Sequence, residues 1–487
     1  MAFSPLDIKD VKQLLRAKIF LGNEPNPELI AILTVYFVQG ILGLARLAVS
    51  FFLKDDLGLN PAEVAALTGI ASLPWIVKPL FGFMSDGLPI FGYRRRPYLI
   101  LSGFLGTLAW IALATIVNNG WLATAVLLFT SLSVAISDVI VDSLVVERAR
   151  EESITQSGSL QSLCWGSSAL GGLLTAYLSG LLLKHLDANT IFLITATFPL
   201  LVSAVAWAIA EEKIVKEDVE STQESIVTHQ VQQLLAAIKQ KSIWLPAAFL
   251  FIWQATPTAD SAFFFFTTNE LGFEPEFLGR VRLVTSLASL IGIFIFQRYL
   301  KNIPFRFILG WSTVIAASLG MTTLLLVTHA NRALGIDDRW FSLGDSLILT
   351  VMGQITWMPV LVLSARLCPK GVEATLFALL MSIYNLSGLI SHELGALLTA
   401  WLGITETNFD RLWILIIITN VSTLLPLIFL GWLPSGDPQD SETTTHRSLA
   451  PAEISEHHPI GSLLETKLIP DLIPEFIIDR VSKERAD

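Results

Sequence analysis

Arg46, Lys78, Asp138, Asp142 and Asp260 are ionisable residues set inside long apolar runs. A charge at mid-bilayer costs about 2.5–3.5 kcal/mol even on lenient scales, so such a residue faces a partner or a water-filled path. Asp138 and Asp142 are four positions apart and share one helix face. Two carboxylates that close repel each other when both are ionised, and low dielectric strengthens the repulsion, which suits the pair to carrying a proton. Lys78, at similar depth, could neutralise one of them. The same three groups would also serve as a structural ion cluster tying two helices together.

The elements that must hold these residues are membrane helices. Hydrophobic residues make up 53% of the 487 and charged residues 15%, and the mean hydropathy is +0.61. That is more apolar surface than one water-soluble core can hide. A transmembrane helix takes roughly 20 residues, and apolar stretches of that length recur at 28–53, 62–84, 97–117, 121–146, 157–183, 190–209, 244–268, 275–297, 304–329, 343–366, 372–400 and 409–433. The expectation is an all-α membrane protein of twelve transmembrane helices, surrounded by lipid bilayer.

Several function classes drop out. The net charge of −10 arises largely in loops and tails and provides no basic stripe for nucleic acid. The seven histidines are scattered, with no zinc-ligand spacing, nucleophile elbow or Walker-type glycine loop, so neither an enzyme, nor a metal or cofactor, nor direct ATP drive is expected. Cys164 and Cys368 make no disulfide framework. No cleaved secretory signal is evident between Met1 and Pro27.

Orientation follows from loop Lys and Arg. One side collects Arg94, Arg95, Arg96, Arg148, Arg150, Lys213, Lys216, Lys239, Lys241, Arg298, Lys301, Arg306, Arg366 and Lys370; the other has Lys54, Lys184, Arg332, Arg339 and Arg411. Both termini are thus expected to face the cytoplasm or its equivalent.

An internal repeat turns the helix count into an architecture. Leu57-Gly58-Leu59-Asn60-Pro61 matches Leu271-Gly272-Phe273-Glu274-Pro275 at an offset of 214, and Arg150 with Gly172 matches Arg366 with Gly388 at an offset of 216. Two parallel six-helix halves are the layout of the major facilitator fold, with the solute path between them. The expected organisation is an N-terminal arm (1–27), a first half (28–209), a cytoplasmic linker (210–243), a second half (244–433) and a cytoplasmic tail (434–487). In the tail, leucines and isoleucines from Leu463 to Ile473 could form a small amphipathic surface helix, or the tail could be disordered.

The same offset sets Arg46 opposite Asp260, on helices 1 and 7. They are expected to pair when the outer side closes and part when it opens, unless each is satisfied within its own half. Gly43 and Pro257 stand three positions before these charges and weaken the two backbones, although Gly43 could instead permit close helix packing. On the inner side, Gly82 to Asp86 followed by Arg94, Arg95 and Arg96 could latch the halves, with Asp86 against the start of helix 11 near Gly371; plain topology also explains the arginines. Trp75, Trp253, Trp357 and Phe263 to Phe266 could stack on a flat heterocycle or face lipid.

The run Ser137-Asp138-Val139-Ile140-Val141-Asp142 through Glu147-Arg148-Ala149-Arg150, continuing through Gly158 to Gly172, closely resembles the signature of the folate-biopterin transporter family. Lys78-Pro79 and Tyr93-Arg94-Arg95-Arg96-Pro97-Tyr98 extend the resemblance, which is closest to the cyanobacterial and plastid-envelope branch. It implies a monomeric secondary active carrier of folates or related pterin conjugates in the inner membrane of a cyanobacterium-like cell or a plastid envelope. Asp138, Asp142, Glu147 and Arg148 are the residues it carries over, with Arg366 grouped in the gating set. The two carboxylates of folate could be attracted by Arg46, Lys78, Arg148 or Arg282, the last ranked lowest because it is read as interfacial. Competing readings are a carrier of unconjugated pterins or another organic anion, or a non-transporting assembly factor for pigment complexes.

Overall fold

The computed structural model describes residues 20, 23–151, 154–211, 213, 239–300, 303–367 and 373–434. The expected linker and the tail with its amphipathic stretch fall largely or wholly outside them. Helices run in order α1 (Pro27–Asp56), α2 (Pro61–Ser85), α3 (Arg96–Thr115), α4 (Gly120–Glu151), α5 (Ile154–His185), α6 (Ala188–Ala208), α7 (Lys241–Gln254 and Asp260–Phe265), α8 (Pro275–Leu300), α9 (Phe305–Val327), α10 (Asp338–Arg366), α11 (Glu373–Trp401) and α12 (Leu412–Trp432). Among the described residues ten helices are long and apolar enough to cross a membrane. The other two are α7, interrupted at 255–259, and α11.

Apolar side chains such as Phe104, Leu108, Leu290, Phe294, Trp311 and Ile428 point outward and are exposed. A bundle that is apolar outside and hydrogen-bonded inside is solvated by lipid, so the protein is an integral membrane protein. Inside, small residues bring backbones together. Gly180 of α5 lies so close to α8 that an added Cβ would stand 2.2 Å from the Pro275 carbonyl oxygen and 2.7 Å from Gly279 Cα.

Local geometry repeats at the offset read from the sequence. α1 ends in a π turn at Phe52–Asp56, and α7 continues into another at Phe266–Glu270, 214 positions later. Gly58 and Gly272, which follow, both have φ of +64°, a left-handed conformation that glycine adopts without a Cβ penalty. Arg96, opening α3, donates from Nε to the Ile209 carbonyl after α6 at 2.6 Å. Arg306, near the start of α9, does the same to Leu433 after α12 at 2.5 Å.

The first helix of each repeat is bent where backbone weakness was expected. α1 breaks at Leu42 and Gly43, where Gly43, Ala45 and Arg46 donate to carbonyls only three residues back. α7 breaks around Pro257, and α11 satisfies the freed groups: Ser391 Oγ donates to the Thr256 carbonyl at 2.5 Å.

Candidate functional site

α2 is interrupted at Ser72 and Val77, and Lys78 stands at the start of its last segment. That break aims the Lys78 ammonium at Asp138 of α4, with which it forms an ion pair, and leaves it 5.1 Å from the centre of the Trp75 ring. Gln39 of α1 donates its amide to the other Asp138 oxygen at 3.1 Å. One turn further along α4, Asp142 accepts from the Tyr36 hydroxyl at 2.5 Å. The Asp142 side chain has accessible surface. The sequence placed Lys78, Asp138 and Asp142 together. It missed Tyr36 and Gln39, which are uncharged; their signal was polarity three positions apart within an apolar helix.

The second half contributes an aromatic and amide group. Trp357 of α10 and Tyr384 of α11 lie with ring centres 4.3 Å apart. The Tyr384 hydroxyl donates to Gln254 at 2.7 Å, and Trp253 donates from Nε1 to Thr313 Oγ1 at 3.2 Å. Next to Tyr384, Asn385 donates to the Trp75 carbonyl at 3.0 Å and so ties α11 to the break in α2. Trp253 and Trp357 are both half-buried in the second half. Gln254, Tyr384 and Asn385 escaped sequence reasoning for the same reason as Gln39.

One end of the bundle is shut. Lys54 donates to Asn269 at 2.8 Å, the Phe51 and Phe264 rings meet edge to face at 5.3 Å, and Lys184 pairs with Glu276 at 2.6 Å. Arg46 and Asp260 take no part: no ion pair joins them, and both are exposed. The expectation that they pair when this end closes is therefore corrected. Equal depth does not fix the direction in which a side chain leaves its helix, and these helices meet farther out, through Phe51, Lys54, Phe264 and Asn269. Arg46 instead donates its amide to the Gly43 carbonyl at 3.2 Å. Arg282 of α8 is half-buried, donating to the same Gly43 carbonyl at 3.3 Å and to Ser179 Oγ at 3.1 Å.

At the opposite end, the main-chain amides of Arg94, Arg95 and Arg96 all donate to the Glu211 carboxylate, at 2.5, 2.9 and 3.1 Å. An acid at a helix start is favoured by the helix dipole. Arg95 reaches Ser85 Oγ at 2.8 Å, and an added Cβ at Gly82 would stand 3.6 Å from Val139. The side chains of Asp86, Glu147, Arg148 and Arg366, and all of Gly371, lie outside the described residues.

A family model described as the BT1 family matches residues 39–451. The chain belongs to the BT1 family. This BT1-family chain is 59% identical to a folate-biopterin transporter of Synechocystis sp., over 98% of each chain. It is 33% identical to folate transporter 1 of Plasmodium falciparum, covering 89% of this chain and 85% of that one. Among solved structures it resembles a D-xylose-proton symporter, with a TM-score of 0.61, 14% identity and coverage of 84% of this chain and 98% of that one. A bacterial homologue of the lysosomal transporter Spinster, inward-facing and unoccupied, gives 0.60 at 12% identity, with 88% and 100% covered. The likenesses to these solved structures show the major facilitator fold.

Proposed function

We propose that the chain is a secondary active carrier of folates, including folic acid, reduced folates and antifolates such as methotrexate, working by alternating access. The observation that carries this reading is the 59% identity, over 98% of both chains, to a folate-biopterin transporter. The site is consistent with such a substrate: a flat ring can stack near Trp357 and Tyr384, while cations and amides supply hydrogen bonds for its polar edge and carboxylates. In this reading the chain spans the membrane twelve times in two six-helix halves, 28–209 and 244–433. The N-terminal arm 1–27, the linker 210–243 and the tail 434–487 are cytoplasmic, and the carrier works as a monomer. The membrane is the inner membrane of a cyanobacterium-like cell or a plastid envelope.

The mechanism assigns the bends at Gly43 and Pro257 to the swing of the outer ends of α1 and α7. The contacts of Lys54 with Asn269 and Phe51 with Phe264 then break and re-form in each cycle. Asp138 and Asp142 share one cation, Lys78, so the second carboxylate is the group that takes up a proton and couples it to transport. Arg148, Glu147, Asp86 and Arg366 act at the inner end.

Saturable uptake of radiolabelled folate into liposomes holding only this protein tests the reading. Absence of uptake, with an unconjugated pterin carried instead, would replace the substrate; absence of both would remove transport. An imposed proton gradient, acid on the loading side, is expected to raise the initial rate, and indifference to it would remove the coupling role.

A further inference from the structure

Lys78, Arg46 and Arg282 are cations set inside spanning helices, and they are not equivalent. Lys78 is neutralised by Asp138. Arg46 and Arg282 have no carboxylate partner among the described residues, and both meet at one carbonyl: Gly43 accepts from the Arg46 amide at 3.2 Å and from Arg282 Nη1 at 3.3 Å. Like charges held together in low dielectric are costly, so this arrangement is stable only with an anion or water at hand. Arg282 spends Nη1 on the Gly43 carbonyl and Ser179 Oγ, but a guanidinium carries five donors. Nη2 lies 3.9 Å from where a Gly43 side chain would begin, so the glycine leaves that edge uncrowded. The Arg46 side chain is exposed and makes no described hydrogen bond. Arg46 belongs to α1 and Arg282 to α8, which are in different repeats, so an anion held by both would bridge them.

We propose that Arg46 and Arg282 form a two-cation site for the dicarboxylate end of a glutamyl-conjugated pterin, and that this pair selects the conjugated substrate over its unconjugated form. The inference rests on the folate reading above and adds the tail's position. Arg46 follows Gln39 by seven residues on α1, about 10 Å at 1.5 Å per residue. A substrate whose pterin head lies near the Lys78, Gln39 and Asp138 group thus extends its tail toward the shut end, with the aminobenzoyl ring between. Guanidinium groups suit the task because each can grip a carboxylate with two parallel N–H bonds.

The experiment compares folate with pteroate, which is folate without its glutamate, in reconstituted uptake. Wild type, Arg46→Gln, Arg282→Gln and Arg282→Lys are each scored for the folate KM, the pteroate inhibition constant and the melting temperature in detergent. The expected result is a wild-type preference for folate of at least about tenfold, the equivalent of about 1.4 kcal/mol. That preference falls toward unity in both glutamine variants and is partly restored by Arg282→Lys. Arg46→Gln removes no described bond and carries the test alone if Arg282→Gln fails to fold. A wild type that takes up folate without preferring it to pteroate overturns the site, as does a variant that weakens both ligands by the same factor. A wild type that takes up no folate at all defeats the folate reading instead, a result distinct from either.

Discussion

Replacing Lys78 by Met leaves Asp138 in the bundle with only the Gln39 amide to offset its charge. The two side chains are 22% and 15% exposed, so the pair is partly but not fully dry. Breaking a fully buried pair from one side costs about 3–5 kcal/mol, and this residual exposure argues for a value below that range, about 2–3 kcal/mol. Asp138→Asn should cost a similar amount, since it leaves an ammonium whose remaining support is the Trp75 ring at 5.1 Å, a contact of about 0.5–1 kcal/mol. The double variant removes both charges and keeps the volumes. A coupling of about 3 kcal/mol, roughly a 150-fold effect, should therefore appear between the two sites, leaving the double variant with the smaller loss. The assay is thermal melting of the detergent-solubilised protein for the four members of the cycle. The double variant is expected to melt above both single variants. If it melts at or below the weaker single variant, the ion pair is not an energetic unit and the argument fails.

Gly279→Val should hold the Lys54 end open, because α5 passes against Gly279 with Gly180 Cα 2.9 Å from an added Cβ; folate exchange should fall by at least about tenfold with normal membrane insertion, and unchanged exchange would refute a closing role for this crossing. Asp187 caps α6 through the Thr190 amide and hydroxyl, which hold its carboxyl below the usual range. Its depressed folded-state value gives stability that is present above about pH 4 and is lost as pH falls through the folded value; the melting-temperature gap between wild type and Asp187→Ala, about 1 kcal/mol at neutral pH, should narrow below pH 4, and a gap independent of pH would count against the cap. Gly292→Ala should cost about 1–3 kcal/mol by overpacking, since its Cβ would meet Gln354 Cβ and the Val351 carbonyl at 2.7 Å each; an unchanged melting temperature would refute that close approach.

Most of the helical framework was legible because lipid imposes a length and an apolar face on every span, and the repeat was legible because Gly58 and Gly272 must adopt the same left-handed turn. The pairing of Lys78 with Asp138 could be read from depth and charge. Arg46 and Asp260 could not, since their direction depends on how α1 and α7 rotate beyond their breaks. Glu211 was read as the start of a linker; that its carboxylate gathers three amides at the head of α3 follows only from the return of the chain after α6. Tyr36, Gln39 and Asn385 carry no charge, so a search confined to intramembrane charges passed over them.

The two repeats divide their work unequally, and the register shows where. Lys78 corresponds to Gly292 at the offset of 214, and Asp138 to Gln354 at 216. In the first repeat α2 and α4 are joined by an ion pair across this place. In the second, α8 and α10 are joined by a glycine pressed against the glutamine stem. One position pair therefore carries titratable chemistry and its counterpart carries packing. In the proposed mechanism protonation changes in the first half, while the second presents Trp357, Tyr384 and Asn385 to the substrate. The unpaired Arg46 and Arg282, drawn one from each repeat, are then the point at which an anionic substrate couples the titrating half to the second.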